Sequence, residues 1–175
     1  TAVSETVTDV VPAIRQMLSR SGRGFKTLKV TKNALVDYFI EGNFKMIAKP
    51  FTPDIIVYCK SSYIFIEAES DEEILKQAEE EIEAFVSGKG YTPKVLLIKG
   101  IGLIAVGDSS RNAQIITDVF TDAMKVAFYA QSFGGEHPME QAWIDFIDNW
   151  EVENYRRKVA SSASKGRVEG RTIIV

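Results

Sequence analysis

Residues 95–107, Val95-Leu96-Leu97-Ile98-Lys99-Gly100-Ile101-Gly102-Leu103-Ile104-Ala105-Val106-Gly107, carry the fold. Four apolar residues, a short break holding two glycines and four more apolar residues predict a strand over 95–98, a turn at Gly100 and Gly102, and a returning strand over 103–106. Three glycines and Lys99 interrupt the run, so it falls short of the ~18 apolar residues a membrane span needs. Asp108 or Ser109 then caps a long helix. Its stripe of Ile116, Val119, Phe120, Ala123, Ala127 and Ala130 is closed by Gly134-Gly135.

Upstream, the same plan reads once more. Asp54 to Cys59 is a β-branched run, Ser61-Ser62 a turn, and Tyr63 to Glu67 a second strand, which predicts a hairpin. Ser70 caps the next helix, with Glu73 completing a capping box, and Ile74, Ala78, Ile82 and Phe85 at helical spacing. Nearer the start, residues 6–19 form a helix with Val7, Val10, Val11, Ile14 and Leu18 on one side, and Pro12 is expected in its first turn. Lys26 to Val30 is a strand, and Thr31 is expected to cap a short helix that Gly42 stops. Two short helices over 138–149 and 151–160 follow, with Trp143, Phe146, Ile147 and Trp150 as an apolar face for core or docking. The class is α/β: an antiparallel or mixed central sheet with helices on its faces. Strands are expected near 26–30, 46–50, 54–59, 63–67, 94–98 and 103–106.

Composition narrows the function classes. With 45% apolar residues in 175, the chain is a folded domain rather than a disordered segment. The net charge of −3 argues against a nucleic-acid module. A single cysteine, Cys59, forbids an internal disulfide and fits a reducing compartment, so the expected location is cytoplasmic, with no membrane partner. A single histidine, His137, forbids a zinc site built on two or three imidazoles. It sits in a Gly-Gly-Glu-His-Pro loop and reads as a turn residue. No Gly-x-Gly-x-x-Gly or phosphate-binding P-loop is present. The basic cluster Arg156-Arg157-Lys158 and the acidic stretch from Glu67 to Glu83 read as solvated helix faces.

Four segments together resemble the middle region of bifunctional sugar-phosphate aldolase/alcohol dehydrogenases of the rhamnulose-phosphate type. They are Thr52-Pro53-Asp54 with the following residues to Lys60, Gly100-Ile101-Gly102-Leu103 through Gly107, the helix from Ala113 to Phe133-Gly134-Gly135, and Phe146 to Lys158 with Trp150 and Glu153. Pro12-Ala13-Ile14-Arg15 stands where that family has Pro-x-x-Arg. The resemblance implies a class II aldolase-like, three-layer domain over residues 1–160, a linker over 161–170, and the first strand of a short-chain dehydrogenase over 171–175. It further implies that Ile101 occupies the place of a zinc-binding histidine.

No cofactor is therefore expected here, and no catalytic or metal-binding residue is assigned. Zinc and NAD(P) belong to the parent protein's other domains. The expected role is non-catalytic, joining aldolase and dehydrogenase domains of one chain that serves carbohydrate metabolism. One alternative is a metal-independent sugar-phosphate-binding or catalytic domain, with Thr52, Asp54, Lys60 and Lys99 as candidate substrate-binding residues. The other is a plain homo-oligomerisation module.

Overall fold

The structure is a computed structural model that describes residues 5–21 and 24–149. The expected helix over 151–160, the basic cluster, the linker and the dehydrogenase strand lie outside the described residues. A four-stranded sheet runs in the order β1-β4-β3-β2. Its strands are β1 (Thr27–Thr31), β2 (Ile64–Ile66), β3 (Val95–Ile98) and β4 (Gly102–Gly107). The hairpin expected at 95–107 is present and pairs Leu97 with Leu103 and Val95 with Ala105. β1 joins β4 antiparallel, and β2 joins β3 in parallel.

Every residue of β3 and β4 is buried, because helices cover both sides of the sheet. Alternation divides them. Val95, Leu97, Leu103 and Ala105 face one core, shared with α5 (Ser110–Ala130), α3 (Pro53–Cys59) and α2 (Ala34–Tyr38). Leu96, Ile98, Ile104 and Val106 face the other, shared with α1 (Glu5–Ser21) and α4 (Asp71–Lys89). The result is the α/β three-layer arrangement.

The helix caps largely follow the sequence. Ser70 accepts from the Glu73 N–H, and its hydroxyl donates to the Glu73 carboxylate. Ser109 accepts from the Asn112 N–H to start α5. Gly90, in the left-handed region, ends α4 with its N–H on the Val86 carbonyl. At the sheet edge, Asp108 holds the buried Lys26 at 2.7 Å and Lys94 at 3.6 Å. Partial burial works against ionisation of Asp108, but the two ammonium groups outweigh it and keep its carboxyl below the usual range.

Several expectations are corrected. Residues 53–59 form helix α3, not a strand, so the first hairpin does not exist. Pro53 opens the helix, where its missing N–H costs nothing. Ile55 and Cys59 then fall on one helical face in the core shared with α5, Ile56 is buried beside them, and packing outweighs the β-branched preference of the run. β2 instead reaches β3 through the α4 crossover that a parallel pair requires. Residues 46–50 are not a strand either; a 3₁₀ turn spans Phe44–Ile47. Asn33, not Thr31, caps α2, accepting from the Leu35 and Val36 N–H groups. Pro12 lies well inside α1 rather than in its first turn. The complete burial of Val10, Ile14 and Leu18 offsets the lost hydrogen bond.

Gly102 starts β4 at φ +125°, and a Cβ there would stand 2.5 Å from the Thr31 carbonyl oxygen. Gly102→Ala will therefore lower stability by at least about 2 kcal/mol, read from urea denaturation. Gly88→Ala, in α4 with open space around it, will instead leave stability unchanged or raise it by about 0.5–1 kcal/mol.

Candidate functional site

Three places in the fold bear on function. The first is the β3–β4 turn. Ile101 donates its N–H to the Ile98 carbonyl, and its side chain is fully buried among the apolar residues of the α1–α4 side. A group at this position belongs to the apolar cluster under α1 and α4 rather than to a solvated cleft. His137 lies exposed in the loop after α5, which packs on the opposite face of the sheet. Among the described residues, no three His, Cys, Asp or Glu side chains gather to hold a metal ion. The residues at this turn do not fit a zinc centre.

The second place holds the candidate residues near α3. Thr52 is the exposed N-cap of the helix, and Asp54 stands exposed in its first turn, where a carboxylate complements the helix dipole. Lys60 closes the same helix at its other end, roughly 12 Å away at 1.5 Å per residue. Lys99 follows β3 at the far end of the β2–β3 pair and binds Glu69, which raises the lysine's pKa and lowers the glutamate's. The fold thus sets Thr52 and Asp54, Lys60, and Lys99 at three separate locations rather than in one pocket. Two surface depressions are lined by other residues. One, of about 240 Å³, lies between α1 and α4, and the other, of about 450 Å³, between β1 and α5.

Sequence reasoning did not reach the third place, the surroundings of Lys60. Lys60 has φ 68° and ψ 177°, the one positive-φ residue other than glycine among the described residues. That region is almost confined to glycine. Its ammonium sits 5.2 Å from the centre of the Tyr91 ring. Next to it, the Ser61 hydroxyl donates to Asp148, at the end of α6 (Gln141–Asp148). Helix α6 packs against α3, and the Met139 N–H on the Pro50 carbonyl anchors the loop before it.

The hydroxyls of Tyr63 and Tyr91 are buried here with no hydrogen-bond partner. Ser61 and Ser62 stand beside the Tyr91 hydroxyl and work against the rise of its pKa. Burial pushes both phenols above their ordinary pKa, and the charge of Asp148 adds to the rise in each. Burial alone drives the Cys59 thiol up to about 12, so it is inert at neutral pH. Its side chain behaves as the small hydrophobe the sequence suggests. The signals available beforehand were weak: two serines after Lys60, and a tyrosine and an aspartate far apart in the chain.

The aromatic segment on α6 is turned outward. Ile144 is buried, while Trp143 and Phe146 are 59% and 58% exposed, so the stripe is surface and not core. Trp150 lies outside the described residues. Val126, Tyr129 and Phe133 add further exposed apolar groups along the end of α5 and just past it. No helix is long and apolar enough to cross a membrane among the described residues.

The family model described as "Aldolase class II, second domain" matches residues 5–156. No curated protein matches the sequence at a significant level. Among solved structures, the fold is similar to that of YgbL from Escherichia coli, described as a candidate aldolase/epimerase/decarboxylase. The TM-score is 0.54 and the identity 13%, over 80% of this chain and 65% of that one. The likeness is one of fold, and this chain spans about 65% of the length of YgbL.

If the backbone at Lys60 is strained as its angles indicate, the usual order of substitutions will invert there. Lys60→Gly will be more stable than Lys60→Ala by about 1 kcal/mol, since both lose the contact with Tyr91 and only glycine relieves the strain. Urea midpoints of the two variants measure this, and a more stable alanine variant would refute the strain.

Proposed function

The chain belongs to the aldolase class II second-domain family, and from that premise we propose that it is a non-catalytic, aldolase-like domain of a sugar-metabolising bifunctional protein. In this reading it joins an aldolase domain to a short-chain dehydrogenase domain and offers surfaces on which they associate. The observation that carries the reading is Ile101. By resemblance it occupies the place of a zinc-binding histidine, and its side chain is sealed in an apolar core. Zinc in such enzymes polarises a carbonyl and needs nitrogen or oxygen ligands around an open position. An isoleucine packed against other isoleucines offers neither. Exposed aromatics at the end of α5 and on α6 support the associative half of the reading.

The parent context rests on resemblance. Residues 171–175, Arg-Thr-Ile-Ile-Val, are similar to the opening strand of a short-chain dehydrogenase. The proposal therefore includes a reading frame that continues into a glycine-rich phosphate turn, and NAD(P) and zinc bound by other domains. It also includes a cytoplasmic location. Sequencing the gene beyond codon 175 tests this, and a stop codon there would defeat it.

Metal analysis of the purified domain tests the non-catalytic reading. The expected result is zinc far below one equivalent after dialysis against buffer without chelator. Stoichiometric, tightly held zinc would overturn it.

A further inference from the structure

The groove of about 450 Å³ between β1 and α5 is lined by polar side chains alone. Its makeup follows from the sequence. Gln114, Thr117, Asp118, Thr121, Asp122 and Lys125 recur at helical spacing and put one polar stripe on α5. β1 brings Lys29 and Thr31 to the same groove, and Asn33 joins them just past its end. Thr117 is buried, and Thr31 and Thr121 are half-buried, so three threonines form the floor. The exposed Asp118, Asp122 and Lys125 form the rim. β1 pairs with β4 alone, so the groove lies at an open edge of the sheet. The depression between α1 and α4 differs, since Met17 and Ile82 bring apolar surface to it.

We propose that this groove binds a small, neutral, polyhydroxylated molecule. Two lysines and two aspartates line it, so its formal charge is zero and it favours neither an anion nor a cation. The charged groups are held in place by their neighbours. Lys29 bonds Gln114, Gln114 bonds Asp118, and Lys125 bonds Asp122. Donors and acceptors fixed side by side suit a ligand whose every group can do both. A hydroxyl donates to a carboxylate and accepts from an ammonium or an amide, and adjacent hydroxyls on one carbon chain do so in turn. On the floor, the Thr117 hydroxyl donates to the Ala113 carbonyl, which leaves its oxygen able to accept. A lining without apolar side chains gives a hydrophobic ligand nothing to bury against. The site stands on this groove alone and is independent of the linker reading.

Amide-shift titration of the intact chain with sorbitol tests the proposal. Saturable shifts confined to β1 and α5 are expected, with a dissociation constant on the order of 1–10 mM. The affinity will change less than about twofold between low and high salt, because a neutral ligand carries no charge to screen. Thr121→Trp fills the groove and will weaken binding by about tenfold or more, and Asp118→Ala removes a rim acceptor and will weaken it about threefold to fivefold. Absence of saturation, or saturable shifts elsewhere in the fold, overturns the proposal. Saturation of the groove by inorganic phosphate or by ethylammonium but not by sorbitol overturns it as well, since the neutrality of the ligand is the claim. Should Thr121→Trp fail to fold, an unchanged affinity in Asp118→Ala, on the exposed rim, overturns it instead.

Discussion

β3 and β4 meet water on neither face, and the rest of the molecule is arranged around that constraint. All ten backbone positions of the two strands are buried. Their side chains must be covered twice, once by α1 and α4 and once by α2, α3 and α5. The same constraint sets the glycine at the start of β4, because the chain turns there against the Thr31 carbonyl with no room for a side chain. It also explains Ile101. A residue at the turn between two such strands inherits the core on its side, and an apolar side chain is what that core accepts.

The hairpin was legible because its signal is local. Two apolar runs bracket glycines, and a capped helix follows. α4 and α5 were legible for the same reason, through Ser70, Ser109 and their apolar stripes. The segment 53–59 misled because its β-branched composition favours a strand in isolation. What decides it is a proline at the first helical position and a partner, α5, that the sequence cannot place. Continuous apolar runs in buried strands and short buried helices look alike, since neither shows a polar face. The cluster at Lys60 was not legible at all. Tyr91 arrives there from the end of α4 and Asp148 from the end of α6, so the site exists only once three elements have packed.

The shape of the scaffold does not depend on what its β3–β4 turn presents. The domain has the sheet, the crossover and the long helix of an aldolase-like fold, and its β3–β4 turn is built into the core through Ile101. Away from that turn, the corner of α3 and α6 sets the positive-φ backbone of Lys60 beside the buried phenols of Tyr63 and Tyr91.

The two outer strands limit how the sheet can be extended. β2 is only three residues long, and β1 carries Lys29 at its centre. Short length and a mid-strand cation are both devices that keep a sheet from recruiting another strand. The sheet is thereby closed to lateral growth at four strands. The exposed aromatics Trp143 and Phe146 stand instead on the outer helix α6.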